Sequence, residues 1–95
     1  MLAEPLLKNR DEILRIAARH GAFNVRVFGS QARGETKQDS DLDLLVEVGP
    51  DRSPWFPAGM IADLEELLGY EVDVVTSDSL HWFVRDQILK EAKPL

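Results

Sequence analysis

The sequence contains no cysteine, so disulfide bonds and thiolate metal sites are excluded for this chain. It also lacks long hydrophobic runs: no apolar segment approaches the ~18 residues of a membrane-spanning helix. Nothing near its N-terminus resembles a signal peptide. These absences predict a soluble, cytoplasmic protein that has no membrane partner.

Basic residues are scarce: 11 lysines and arginines face 17 aspartates and glutamates, for a formal net charge of −6. Proteins that bind long stretches of nucleic acid normally present a basic face, so we expect no direct nucleic-acid partner. A nucleotide is not excluded, because one arginine and a divalent cation can neutralise a triphosphate locally. The length of 95 residues predicts a single domain spanning residues 1–95.

The most informative motif lies where a short apolar run, 25–28, ends in glycine and serine. Gly29 has no Cβ and would let a phosphate approach the backbone closely, and Ser30 adds a hydroxyl group. If a helical turn begins at Ser30, its free N–H groups and Arg33 would both favour an anion there. This segment therefore predicts a phosphate-binding turn.

Paired carboxylates open the second apolar run. Asp41 and Asp43 are two residues apart, so on a strand both project from one face, roughly 6–7 Å apart. Asp73 stands inside a third apolar run, where an unpaired charge would cost several kcal/mol. These costs fall if the aspartates converge on one or two divalent cations, and hard oxygen ligands favour Mg²⁺ or Mn²⁺. The alternative is that they lie on a solvated face of the sheet.

The spacing of Asp39, Asp41 and Asp43 also mimics the start of a calcium-binding loop. That interpretation fails, because the sixth position is Leu44 where the loop needs glycine. The twelfth position is Pro50 where it needs glutamate.

Hydrophobic periodicity favours an α/β fold, because helical and strand patterns alternate along the chain. Helices are predicted at about residues 5–20 and 57–68, and from Ser77 or Asp78 to about 92; strands are predicted at 25–28, 42–48 and 72–75. The aromatic pair Trp55-Phe56 lies in a proline-rich loop, where it can serve as a docking element or fold back on the core; we favour the core.

The whole motif set resembles the polymerase-beta-like nucleotidyltransferase superfamily. The residues that carry this resemblance are Gly29-Ser30, Arg33-Gly34, Ser40-Asp41-Leu42-Asp43-Leu44 and Asp73. The brevity of the chain and its ending, residues 80–92, are similar to the minimal nucleotidyltransferase branch. The similarity covers about residues 20–95. One departure is Gln31, which stands where many relatives carry a basic or aromatic residue.

The resemblance implies a small α/β (α+β) fold, in which helices flank a mixed sheet of about three strands. It implies three residues that are both catalytic and metal-binding: Asp41, Asp43 and Asp73. It also implies that Gly29 and Ser30 hold the β- and γ-phosphates of ATP, with Arg33 as a helper. The cofactor would be Mg²⁺, or Mn²⁺ in its place.

Minimal members of this family typically act as antitoxins, and their toxin is a HEPN-domain ribonuclease. The resemblance thus implies a protein adenylyltransferase that moves AMP from ATP to a tyrosine of that toxin. Two alternatives stay open: an antitoxin that acts by docking alone, and a nucleotidyltransferase for small molecules, although the chain lacks a second domain for such an acceptor. Candidate partner contacts are Trp55, Phe56 and Trp82, and Trp82 is expected to be partly buried in the monomer.

Overall fold

The computed structural model describes residues 4–33, 42–80 and 82–95; the side chains of Glu4 and Pro5 are outside that description. The helices in these ranges are α1 (Glu4–Lys8), α2 (Arg10–Arg19), α3 (Ala58–Leu68) and α4 (Trp82–Glu91), with a short 3₁₀ turn at Ser77–Ser79. The strands are β1 (Ala22–Phe28), β2 (Leu42–Val48), β3 (Val72–Thr76) and β4 (Lys93–Pro94).

The strands form one mixed sheet in the order β3-β2-β1-β4. Strand β2 is parallel to β3, and β1 is antiparallel to both β2 and β4. The predicted fold class is confirmed. Strand β4 was not predicted: its two residues were interpreted as the end of the last helix, whereas they pair with β1 at the edge of the sheet, where proline is tolerated.

Two predicted helices differ from the structure at their ends. The helix expected over 5–20 is divided at Asn9, whose backbone N–H bonds to the carbonyl of Leu6 three residues back, at 3.2 Å. The last helix was expected to begin at Ser77 or Asp78. Those residues instead form the 3₁₀ turn, in which the side chains of Thr76 and Ser79 cap each other's backbone, and α4 begins at Trp82.

One face of the sheet packs against α2 and α3 to form the hydrophobic core. The core side chains include Ile13, Ile16, Ala17, Val25, Val27, Leu42, Leu44, Val46, Met60, Leu64, Val72 and Val74. Successive side chains on a strand point to opposite faces, so the residues between these core positions lie on the other face. The two aromatic residues of the 49–57 loop differ in burial. Phe56 packs against the core as expected, but Trp55 is 82% exposed.

The part-buried imidazole of His20 joins helices α2 and α3 to the 49–57 loop. His20 lies at the C-terminal end of α2, its Nδ1 is 2.9 Å from the hydroxyl of Ser53, and its Nε2 is 2.7 Å from a carboxylate oxygen of Asp63 on α3. The neutral tautomer that donates from Nε2 to Asp63 can accept from Ser53 at Nδ1. The two contacts join three segments that are distant in sequence.

We expect His20→Ala to lower the stability of the chain by about 2 kcal/mol, because both part-buried partners lose their hydrogen bonds. For a domain of this size that loss lowers the melting temperature by about 10 °C. Thermal denaturation checks it, with Arg19→Ala, at an exposed position on the same helix, as the control. Equal melting temperatures for the two variants would show that the His20 contacts contribute no net stability.

Candidate active site

The structure describes five of the six predicted site residues. Gly29, Ser30 and Arg33 follow the end of β1, Asp43 lies on β2 and Asp73 lies on β3. The sixth residue, Asp41, is outside the described residues, as are Gly34 and Ser40 of the motif.

Asp43 occupies a central position in the sheet. Its neighbour in register on β3 is Asp73, and its neighbour on β1 is Phe28, the residue before Gly29. Residues in register on adjacent strands project from the same face, and adjacent strands are about 4.8 Å apart. The sheet thus places two carboxylates from distant parts of the sequence side by side, next to the turn that follows β1.

The environment of Asp73 differs from the expectation. We expected this carboxylate inside an apolar strand, with a desolvation cost that a cation would relieve; that expectation was wrong. Val72 and Val74 point into the core, whereas Asp73 points the other way and is exposed. Asp43 is half-buried. What singles out Asp73 is therefore its place beside Asp43 rather than its burial.

Gly29 lies directly against the Asp43 carboxylate. Its φ is +76°, and a Cβ built at this position would collide with Oδ2 of Asp43 and lie 3.2 Å from its Cγ. Glycine alone combines this left-handed backbone with the absence of a side chain. The prediction for Gly29 concerned a phosphate; the structure adds that the same glycine leaves room for the Asp43 carboxylate.

The turn after Gly29 is compact and anchored. The backbone N–H groups of Ala32 and Arg33 bond back to the carbonyl of Gly29, at 3.1 and 3.3 Å. The side chains of Gln31 and Ala32 are buried, whereas Ser30 is half-buried. The turn therefore holds Ser30 directly after Gly29, the residue that lies against Asp43.

Arg33 contacts a carboxylate in this structure. Its guanidinium forms an ion pair with Glu91 at the end of α4. Sequence reasoning missed Glu91, because nothing in the local pattern of α4 distinguishes it from other surface glutamates. A phosphate bound by Arg33 would have to compete with this partner.

Arg26 is a second residue that sequence reasoning missed. It lies on the same face as Asp43, in register with the fully buried Leu45, and its guanidinium donates to the Ser77 hydroxyl at 3.1 Å. A basic residue between two valines is the same signal that drew attention to Asp73. It could have been found from the sequence.

The described residues supply a pair of carboxylates and not a complete metal site. Within 4–33, 42–80 and 82–95, no group of three histidine, cysteine, aspartate or glutamate side chains could hold a metal ion. The predicted third ligand, Asp41, falls in the gap between these ranges. Two adjacent carboxylates, one exposed and one half-buried, nevertheless suit a hard divalent cation.

An open cleft of about 380 Å³ lies at the β3 edge of the sheet, lined by Glu65, Gly69, Tyr70 and Glu71. Glu65 also accepts a hydrogen bond from the backbone N–H of Val72, at 3.0 Å. Its lining residues precede β3 in the chain, and no sequence motif marked the cleft.

None of the helices in the described ranges has the length and apolarity to cross a membrane.

Comparison with known proteins matches the chain to a nucleotidyltransferase domain family and to relatives named as protein adenylyltransferases. The family model for the nucleotidyltransferase domain matches residues 10–95. The chain is 44% identical over 81 residues to "Putative protein adenylyltransferase MJ0435" of Methanocaldococcus jannaschii, covering 85% of this chain and 87% of that protein. It is 40% identical over 73 residues to "Protein adenylyltransferase MntA" of Thermococcus cleftensis, covering 77% and 74%.

Solved structures agree with these matches. A structure described as "putative minimal nucleotidyltransferase" superposes with a TM-score of 0.87 at 48% identity, covering 100% of this chain and 97% of that one. A toxin–antitoxin crystal structure with AMP-PNP superposes with a TM-score of 0.77 at 20% identity, covering 90% and 71%. The second likeness concerns the fold alone.

Proposed function

This chain belongs to the nucleotidyltransferase domain family, and from that membership we propose that it is a Mg²⁺-dependent protein adenylyltransferase and an antitoxin. It would transfer AMP from ATP to a tyrosine of a HEPN-domain ribonuclease toxin and so neutralise it, as one domain spanning residues 1–95. The observation that carries the proposal is the register of Asp43 with Asp73 beside the Gly29 turn.

The proposed metal ligands are Asp43 and Asp73, together with Asp41. The fit rests on the donor set: two carboxylates in register on one face of the sheet, with Asp73 exposed and Asp43 half-buried. When bound, Mg²⁺ (or Mn²⁺) would neutralise phosphate charge and lower the pKa of the acceptor hydroxyl.

The remaining residues would bind and orient the nucleotide. The open backbone at Gly29 and the hydroxyl of Ser30 would hold the β- and γ-phosphates beside Asp43. The exposed Asp73 would take the proton of the acceptor hydroxyl. The acceptor oxygen then forms a bond to the α-phosphorus, the bond from that phosphorus to the bridging oxygen breaks, and pyrophosphate leaves with the electron pair.

The proposed acceptor is supported by the relatives. The name of the Thermococcus relative describes a protein adenylyltransferase, and the AMP-PNP structure that shares this fold is a toxin–antitoxin complex. Both facts belong to those proteins; they support a toxin and an adenine nucleotide as partners here.

The test is the intact mass of a HEPN-domain ribonuclease toxin after incubation with this chain, ATP and Mg²⁺. We expect one or more adenylyl groups on the toxin, and none when EDTA is present. A stable complex without any mass gain would replace adenylyl transfer by docking as the mode of neutralisation.

The ion pair between Arg33 and Glu91 gives a separate prediction about ATP binding. If Arg33 helps to hold phosphates, Arg33→Ala should raise the KM for ATP about 10-fold, an effect of about 1.4 kcal/mol for one charged contact. Glu91→Gln removes the competing carboxylate and should lower the KM for ATP by about 2-fold.

The double variant tests whether the two effects are coupled. It should behave like Arg33→Ala, because Glu91 acts only through Arg33. If the KM for ATP is lower in the double variant than in Arg33→Ala, Glu91 acts on ATP directly, by its charge, and not by holding Arg33.

A further inference from the structure

Helix α4 differs from the core helices in how little of it is covered. None of the residues Trp82–Glu91 is buried, whereas α2 and α3 each bury apolar side chains in the core. Trp82 is 79% exposed and Phe83 75% exposed. The earlier expectation that Trp82 is partly buried was wrong, because α4 does not lay its apolar residues against the sheet.

The exposed side chains form one apolar surface. The rings of Trp82 and Phe83 meet edge to face, with centroids 6.0 Å apart. Leu89, 37% exposed, is seven residues from Trp82 and so lies on the same side of the helix. We call Trp82, Phe83 and Leu89 the α4 surface. Large aromatic side chains clustered in this way on a small protein are typical of a protein–protein contact.

The C-terminal end of helix α4 contacts the turn that follows Gly29. Helix α4 connects β3 at one edge of the sheet to β4 at the other edge. Its last residue, Glu91, contacts Arg33 in the turn that follows Gly29. Ten helical residues span about 15 Å, so a protein that covers α4 from Trp82 to Glu91 would extend to the turn that follows Gly29.

Charge indicates what kind of partner fits. Residues 53–84, which lead up to and into α4, contain six carboxylates and no lysine or arginine. The whole chain carries a net charge of −6, so two copies repel each other. A ribonuclease, in contrast, needs a basic face to bind RNA phosphates. The complementary occupant is a basic protein and not a second copy of this chain.

We propose that the α4 surface is the docking site for the acceptor protein, and that the acidic segment 53–84 steers the basic face of that protein toward it. This inference rests on the proposed function, whose acceptor is a ribonuclease. Docking through α4 would also supply a surface that holds the acceptor protein.

The test compares two exposed aromatic sites. The probe is a catalytically inactive variant of the HEPN-domain toxin that serves as acceptor in the transfer assay, titrated calorimetrically. We expect Trp82→Ala/Phe83→Ala to weaken the Kd at least about 10-fold, as truncated aromatic anchors do. The matched control, Phe23→Ala, removes an aromatic side chain that is 55% exposed on β1 and should stay within about 2-fold of wild type. Both variants should melt like wild type.

A second titration tests the steering by charge. Glu66→Gln/Asp78→Asn, at two exposed positions of the acidic segment, should weaken the Kd more at low than at high salt. The control, Asp11→Asn/Asp51→Asn, removes two exposed carboxylates outside the segment and should change the Kd less. Equal changes in the Kd for the two double variants would overturn the proposal that the acidic segment steers the toxin.

The outcomes separate this inference from the proposed function. A wild-type chain that binds the toxin through α4 but transfers no AMP overturns the transferase proposal and leaves the docking site standing. Undiminished binding by Trp82→Ala/Phe83→Ala overturns the docking site, whether or not AMP is transferred. The docking site is also overturned if the wild-type chain does not bind the toxin. It is overturned as well if the wild-type chain forms a homodimer that Trp82→Ala/Phe83→Ala dissociates.

Discussion

Asparagine in place of Asp43 is expected to reduce AMP transfer at least about 10³-fold, a loss of about 4 kcal/mol of transition-state stabilisation. Asp43 lies in register with Asp73 and against Gly29, so it is the described residue that joins the carboxylate pair to the turn proposed to bind phosphates. The amide keeps the shape of the side chain and removes its charge. Folding and toxin binding should therefore stay close to wild type.

The measurement is the rate of adenylyl transfer to the toxin, together with thermal denaturation. Asp51→Asn is the matched control, since Asp51 is an exposed aspartate in the loop between β2 and α3. It should keep its rate within about 2-fold. Retention of a tenth or more of the wild-type rate by Asp43→Asn would contradict the role given to this carboxylate.

Alanine at Gly29 is expected to lower the rate of AMP transfer about 10²-fold, by displacing Asp43. The added Cβ would collide with Oδ2 of Asp43, so either the carboxylate or the turn has to move. Displacement by about 1 Å of a group that orients a substrate can lower a rate about 10²-fold. The left-handed φ of +76° adds a backbone strain of about 1 kcal/mol for any residue with a side chain.

Gly69 is a matched control for that strain. Its φ is +80°, and a Cβ built there meets nothing within 4 Å. Gly69→Ala should therefore lose about 1 kcal/mol of stability and keep its activity, whereas Gly29→Ala should lose both. Melting curves and transfer rates of the two variants check this. Equal activity in both would show that the contact between Gly29 and Asp43 has no functional consequence.

Much of the fold could be predicted from local pattern. The three apolar runs are β1, β2 and β3, and the periodic segment at 57–68 is α3, because burial of one face leaves a period in the sequence. Strand β4 has no such period. It depends on long-range contacts: the N–H of Leu95 bonds to the carbonyl of Val25, and Nε of Arg10 donates to the Leu95 carbonyl at 2.8 Å.

The candidate site also combines features that local sequence predicts with features that depend on long-range contacts. The motif residues could be selected from their types and spacing, but the adjacency of Asp43 and Asp73 depends on the register of two parallel strands separated by about 30 residues. Local sequence does not encode that register. The exposure of Trp82 could not be predicted either, since it depends on the path of α4 from one edge of the sheet to the other.

The most direct test of the central claim is a crystal of this chain with Mn²⁺ and a non-hydrolysable ATP analogue, using the anomalous signal of manganese. We expect a peak within about 2.0–2.3 Å of carboxylate oxygens of Asp43, on the face shared with Asp73, and phosphates against Gly29 and Ser30. Manganese elsewhere, or the nucleotide in the cleft lined by Glu65 and Tyr70, would contradict the account.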